Sequence, residues 1–192
     1  MGLIASKFAF LPPNPPGPLH VDCQFIKTLN GHEIPIYFKK HLTSKYILIF
    51  SHGNAEDLTH CTAFLDEMSR VLNVSVLGYE YLGYPHTISG DMNSSLSSAL
   101  KPSEEGCYES IDAAYEHVTN FLKFDASHQI WMGQSIGSGP TVDFVARRGK
   151  QKISLAGMIL ISPFNSAVSL ISPFIATFYD IFANGSKIHC VN

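Results

Sequence analysis

The stretch that decides the fold is QIWMGQSIGSG, residues 129–139. Its apolar first half predicts a buried strand, and the residues after it predict a helix over 136–148. Between them stands the pattern G-x-S-x-G, with Ser135 at its centre. A serine in a tight turn between a strand and a helix is typical of a nucleophile elbow. The glycines are needed because larger side chains two residues away would collide with the strand and the helix. We therefore predict that Ser135 is a nucleophile.

Strand and helix patterns alternate on both sides of this turn. Continuous apolar runs predict strands that are covered on both faces, and helical periodicity predicts helices between them. Repeated alternation with right-handed crossovers predicts an α/β fold with a doubly wound, mostly parallel sheet. The predicted strands are 46–51, 74–80, 129–133 and 155–162, and the predicted helices are 57–71, 103–123 and 136–148.

Ahead of the first parallel strand, the sequence predicts a β-hairpin over residues 21–38. The runs VDCQFIKTL and HEIPIYFKK flank Asn30-Gly31. That pair is typical of a two-residue turn in which both central residues have positive φ. Residues 1–20 are rich in proline and predict an extended segment. We therefore divide the chain into a proline-rich segment, 1–20, and one α/β domain, 21–192.

The composition narrows the class of protein. The chain has 192 residues, of which 45% are hydrophobic and 15% are charged, so it can bury a core and is not disordered throughout. The net charge of −3 and the lack of a basic stripe argue against a nucleic-acid partner. The four cysteines are widely spaced, which argues against a zinc site and a disulfide framework and indicates a cytoplasmic environment. We expect neither a metal nor a cofactor.

A second motif, SHGNA at residues 51–55, directly follows the first parallel strand. In α/β folds with a nucleophile elbow, a loop after an early strand supplies one N–H of the oxyanion hole, and the residue after the nucleophile supplies the other. The predicted donors are therefore the N–H groups of Asn54 (or Ala55) and Ile136. His52 precedes the serine in the chain, so we interpret it as a residue that structures the loop, not as the catalytic base.

Eight short stretches are spread over residues 7–163. They are KFAFLPP (7–13), SHGNAED (51–57), YEYLGY (79–84), KPSE (101–104), IDAA (111–114), GQSIG (133–137), PTVD (140–143) and SP (162–163). In this order they resemble the α/β-hydrolase superfamily, and within it the α/β-hydrolase domain-containing family 17 of membrane-associated protein depalmitoylases. The resemblance implies a serine hydrolase of acyl esters or thioesters, with Ser135 as nucleophile and an acylated protein or lipid-like ester as substrate.

The acid and base of a catalytic triad are harder to assign. In this fold they follow the serine in the order Asp or Glu, then His. The acids after Ser135 are Asp143, which we expect to face away, and Asp180; the histidine is His189. Asp180 and His189 are thus a weak candidate pair. We expect an α/β-hydrolase fold that lacks its last strands and helices, incomplete at the C-terminus, and impaired hydrolysis, because a serine without its base keeps only part of the rate enhancement.

Two apolar or lipid-related features lie at the ends of the chain. The start, MGLIAS, fits the pattern M-G-x-x-x-[ST] and predicts N-myristoylation of Gly2 after removal of Met1. A single myristoyl chain gives weak, reversible binding, so we expect partition between the cytosol and the cytoplasmic face of membranes. The apolar stretch 167–183 contains Pro173 and Asp180, which favour a lid or packing helix over a membrane span.

Two other functions are compatible with the sequence. One is a serine peptidase or small-ester hydrolase on the same fold, because a fold does not fix the substrate. The other is a non-catalytic interaction protein that keeps the serine turn as scaffold, which the missing acid and base favour.

Overall fold

Six strands and four helices make up the regular structure of residues 10–90, 100–166 and 182–191, the part of the chain that the computed structural model describes. The strands are β1 (Cys23–Lys27), β2 (Glu33–Lys39), β3 (Ile47–Ser51), β4 (Ser75–Tyr79), β5 (Gln129–Gln134) and β6 (Gly157–Ile161). The helices are α1 (Leu58–Leu72), α2 (Glu104–Asn120), α3 (Ser138–Lys150) and the one-turn α4 (Asn184–Lys187). Short 3₁₀ turns occupy Ala126–His128, Ser135–Gly137 and Ile188–Cys190.

The sheet is mixed and mostly parallel, with the strand order β1-β2-β4-β3-β5-β6. Strands β3 to β6 run parallel, whereas β1 and β2 add an antiparallel edge. The chain first moves outward from β3 to β4 and then returns past β3 to β5. The order therefore reverses between β3 and β5, and ligands of open α/β sheets bind at the carboxyl ends of strands at such a point.

Helices cover both faces of the sheet, which confirms the predicted fold class. Helix α1 packs on one face, where Leu58 and Leu65 contact a buried cluster that includes Phe50. Helices α2 and α3 pack on the other face, where Trp131 and Phe144 lie with ring centroids 4.2 Å apart. The central parallel strands β3 and β4 are buried at every residue, as the continuous runs predicted, whereas β6 at the edge is half-buried and its Ile159 is exposed.

The β1–β2 hairpin forms, but the predicted two-residue turn is wrong. The strands pair from Cys23↔Tyr37 to Lys27↔Glu33, and the Thr28 N–H then donates to His32 O at 2.8 Å. This closes a three-residue loop, in which Gly31 alone has positive φ (80°) while Asn30 does not. A type I turn followed by one left-handed residue has this shape, and its length is set by the pairing of the strands.

Some predicted segments lie partly or wholly outside the described residues. Of the apolar stretch 167–183, only Phe182 and Ala183 are described, and the Phe182 ring lies against Gly139 of α3. Gly2 and Asp180 also lie outside. No helix in the described part of the chain is long and apolar enough to cross a bilayer. All four cysteines are free thiols.

Candidate active site

Ser135 follows the carboxyl end of β5 and begins the 3₁₀ turn that leads into α3. Its φ is +50°, a left-handed conformation that a residue with a side chain seldom adopts. Its side chain is exposed, although the residues on the helix side of it are buried. The Ser138 hydroxyl donates to Ser135 O at 2.7 Å and holds the turn closed. The geometry is that of a strained strand–turn–helix with the serine at its tip.

The two glycines of the motif fit where no side chain would. A Cβ on Gly133 would lie 2.5 Å from Gly137 O and 2.6 Å from Thr141 Oγ1. A Cβ on Gly137 would lie 2.1 Å from Ser51 O. Both distances are far below van der Waals contact, so the steric reason predicted for these glycines is confirmed. Gly137 also shows that the serine turn sits directly on the end of β3.

The predicted oxyanion loop therefore adjoins the serine turn. Ser51 pairs with Gly133 across β3 and β5, and Gln134 Nε2 comes within 3.6 Å of the Cβ position of Gly53. The structure thus brings Asn54 and Ile136, the two predicted donors, onto neighbouring segments at the switch point of the sheet. Ile136 is buried beneath the turn.

Asn54 is fixed through its side chain by two other segments. Its Oδ1 accepts from the Leu11 N–H and from the Tyr84 hydroxyl, each at 2.8 Å. These contacts tie the loop to the N-terminal segment and to the residues after β4. Residues 10–19 contain no helix or strand.

The same segment continues along the start of α1. Gly17 N–H donates to Asp57 Oδ2 at 3.1 Å, and Gly17 O accepts from His86 Nε2 at 2.8 Å. Asp57 caps α1 by accepting from the His60 N–H at 3.1 Å. Burial alone would raise the pKa of Asp57, but hydrogen bonds from Thr59, Gly17 and His60 lower it to about 2.

His52 is buried within the loop and does not face solvent. Its Nε2 lies 2.8 Å from Glu80 Oε1, and its Nδ1 lies 2.9 Å from Gly53 O. Burial alone would lower the pKa of His52, but the charge of Glu80 and the hydrogen bonds to Glu80 and Gly53 raise it above its ordinary value. A histidine held in this way cannot take a proton from Ser135, which agrees with its interpretation as a loop-structuring residue.

Sequence reasoning missed Glu80 and the tyrosines around it. Glu80 follows β4, is fully buried, and also accepts from the N–H groups of Tyr81 (3.0 Å) and Leu58 (2.8 Å). The Tyr81 hydroxyl donates to His52 O at 2.8 Å. Burial raises the pKa of Tyr81 well above its usual value, so its hydroxyl stays neutral and acts as a donor. The signal was a lone glutamate in the apolar run VSVLGYEYLGY (74–84), where an unpaired carboxylate would not be tolerated.

No described contact joins an acid–base pair to Ser135. Asp143 points away as expected, and is paired with Arg147 (2.7 Å) and Lys187 (2.8 Å). His189 is exposed, in the turn after α4. Within the described residues, no hydrogen bond joins His189 to Ser135, and the described part holds no cluster of metal-ligating side chains.

Comparisons with known proteins agree with this architecture. The chain is 33% identical over 217 aligned positions to "Alpha/beta hydrolase domain-containing protein 17B" of Xenopus laevis, and the match covers 97% of this chain and 70% of that protein. The Homo sapiens protein of the same name is 31% identical with the same coverage. An α/β hydrolase structure from Vibrio vulnificus matches with a TM-score of 0.69 at 15% identity, over 88% of this chain and 60% of that one. No protein-family model matches the chain.

Proposed function

Because the chain belongs to the family of the α/β hydrolase domain-containing protein 17, it is an α/β hydrolase, and we propose that it is a serine hydrolase of acyl esters or thioesters with Ser135 as its nucleophile. The observation that carries the proposal is the position of Ser135. Its exposed side chain stands at positive φ on a turn that touches the loop after β3 through Gly137. Strained residues of this kind concentrate at functional sites.

In the proposed reaction, Ser135 Oγ attacks the acyl carbonyl carbon and gives up its proton to water, from which the leaving group later takes one. The carbonyl oxygen becomes an oxyanion that accepts from the N–H groups of Asn54 and Ile136. The C–S or C–O bond of the substrate then breaks, and the thiol or alcohol leaves with a proton. Water hydrolyses the acyl-serine in a second step, which releases the acid and restores Ser135. The N-terminus of α3 lies beside the serine and favours the developing negative charge.

We further propose that the 192-residue chain hydrolyses thioesters slowly. A triad needs a base within hydrogen-bond reach of the serine, and the described part of the chain brings none to Ser135. The oxyanion hole alone leaves a residual enhancement. The weak pair Asp180 and His189 would be supported only if robust thioester hydrolysis were lost in both Ser135→Ala and His189→Ala.

The substrate and location are proposals of the same kind. From the resemblance of the sequence to the protein depalmitoylases of family 17, we propose an acylated protein or a lipid-like ester as substrate. A myristoyl group on Gly2 would bring the chain to the cytoplasmic face of membranes, with an association constant of about 10⁴ per molar. Expression with an alkyne-myristate label tests this: label on the wild type that is lost in Gly2→Ala supports the anchor, and label that survives this change contradicts it.

Labelling with a fluorophosphonate probe tests the nucleophile. Because the described part of the chain brings no base to Ser135, we expect slow covalent labelling of the wild type, and none of Ser135→Ala. Ser162 provides a matched control, because it is also an exposed serine with positive φ (48°) after a parallel strand, but it has no flanking glycines. Ser162→Ala should label like the wild type. Label that persists in Ser135→Ala would show that the reacting residue lies elsewhere, and an unlabelled wild type would support the non-catalytic scaffold instead.

A further inference from the structure

Two buried side chains beneath the loop after β3 have a hydrogen-bond pattern that matches an ion pair. Both ring nitrogens of His52 face acceptors, because Nε2 meets a carboxylate oxygen of Glu80 and Nδ1 meets the carbonyl oxygen of Gly53. A neutral imidazole has only one N–H to donate, whereas an imidazolium beside an ionised Glu80 satisfies both contacts at once. Glu80 accepts from His52, Tyr81 and Leu58, which is the pattern of an ionised carboxylate.

The imidazolium acts on one particular peptide group. Gly53 C=O and Asn54 N–H belong to the same peptide bond, which is trans. In a trans peptide these two groups point to opposite sides. Because His52 Nδ1–H holds Gly53 O on its own side, the Asn54 N–H is aimed away from His52. A charged donor on the carbonyl also polarises the peptide and makes its N–H a stronger donor.

The preceding peptide group is fixed just as firmly. Its carbonyl, His52 O, accepts from the Tyr81 hydroxyl at 2.8 Å, and its N–H, on Gly53, donates to Glu56 Oε2 at 2.9 Å. The loop therefore has little freedom to rotate Gly53, the one residue in it without a side chain. Fixed dipoles of this kind are what an oxyanion hole requires, since they need no reorganisation during the reaction.

We propose that His52 and Glu80 are positioning residues, a buried ion pair that aims and polarises the Asn54 N–H as an oxyanion donor. The proposal rests on the proposed function of Ser135 and names a role within that site. Glu80 accepts a hydrogen bond from the imidazolium of His52, and the imidazolium donates to the Gly53 carbonyl. The peptide group between Gly53 and Asn54 is thereby polarised, and its N–H becomes a stronger donor. Neither positioning residue touches the substrate.

The titratable groups around the ring set how it responds to pH. Glu80 contacts the ring itself, Glu56 accepts from the adjacent Gly53 N–H, and the rings of Tyr81 and Tyr84 lie 4.2 and 5.6 Å from that of His52. The two carboxylates favour the imidazolium, and burial raises the pKa of both tyrosines, so they stay neutral. As the pH rises through the elevated pKa of His52, its Nδ1 or Nε2 loses a proton and the hold on Gly53 weakens.

The experiment measures ¹⁵N and amide NMR signals of the whole chain between about pH 5 and pH 9. We expect both His52 ring nitrogens to carry protons at about pH 7.5 in the wild type, and only one in Glu80→Gln. The Asn54 amide signal should move with the titration of the ring. Glu116→Gln removes an exposed carboxylate of α2 and should leave both signals unchanged. A neutral His52 in the wild type, or an Asn54 amide that ignores the titration, would overturn the proposal.

Fluorophosphonate labelling supplies the functional readout on the same proteins. We expect the labelling rate to fall about 10- to 100-fold in Glu80→Gln and to stay unchanged in Glu116→Gln, a smaller loss than outright removal of a donor gives. An unchanged rate in Glu80→Gln, despite the lost ring proton, would refute the positioning role. Equal label on Ser135→Ala would refute the proposed function alone, since the NMR result does not depend on it. If Glu80→Gln does not fold, the pH dependence of the Asn54 amide signal in the wild type still tests whether this amide responds to the protonation of His52.

Discussion

Replacing Gly137 by alanine sets two physical effects against each other. Gly137 has φ −63° and ψ −17°, which alanine adopts freely, so loss of a helical glycine alone would stabilise the fold by up to about 1 kcal/mol. The added methyl, however, would lie 2.1 Å from Ser51 O and 2.7 Å from His52 O. An ordinary contact is about 3.5 Å, so the backbone of β3 or of the serine turn must move by more than 1 Å.

We expect the steric term to win. Overpacking of a rigid site costs about 1–3 kcal/mol, and here both partners are main-chain atoms that cannot change rotamer. At a urea slope of about 2 kcal/mol per molar, a loss of about 2 kcal/mol lowers the midpoint of unfolding by about 1 M. A shift of 1 Å between the serine and the loop should also reduce fluorophosphonate labelling about 100-fold.

Gly157→Ala is the matched control. It lies in β6, and a Cβ there would meet nothing within 4 Å. Its unfolding free energy should stay within about 0.5 kcal/mol of the wild type. A Gly137→Ala protein as stable as the wild type, or more stable, would show that the contact with Ser51 O relaxes freely and that the two segments are not fixed by it.

Two further predictions concern stability. Asp57→Ala should destabilise the fold near neutral pH. Because the pKa of Asp57 is lowered from 3.8 to about 2, the stabilisation by its carboxylate is present above about pH 4 and is lost as the pH falls through 2. Thermal melts of the two proteins should therefore converge in acid, and a constant difference between their melting temperatures would refute this. Phe182→Ala should lower the free energy of unfolding in urea by about 3–5 kcal/mol, because the ring is fully buried between Phe10, Tyr108 and Phe164. The ring of Phe121 is 76% exposed, so Phe121→Ala should change this free energy little. Equal effects of the two substitutions would show that the segment after residue 181 is not packed against the domain.

The parts of the fold that were predictable are those that depend on the pattern of residues close together in the sequence. Apolar runs and helical periods placed every strand and helix between residues 46 and 162 to within a few positions, because burial on both faces leaves a continuous local signal. The glycines around Ser135 were predictable for the same reason, since Gly133 and Gly137 meet each other within one turn.

What escaped prediction depends on partners distant in the chain. Glu80 stands in an apolar run that calls for a partner but does not identify it. Its partner His52 is 28 residues away and becomes a neighbour only when β3 and β4 pair. The hairpin turn was wrong because Asn30-Gly31 specifies a turn but not its length, which the pairing of Lys27 with Glu33 fixes. Both errors arise where register between strands overrides a local preference.

The contact between Gly137 and Ser51 joins main-chain atoms only, and this has a consequence for how the protein can diverge. The close approach of Gly137 to Ser51 O involves no side chain, so exchanges at a neighbouring position such as Gln134 need not alter that contact. Variants can therefore accumulate different acyl preferences through their side chains while they inherit the same spacing. For an engineer, libraries at those neighbouring positions should yield new selectivity at little risk to the turn itself.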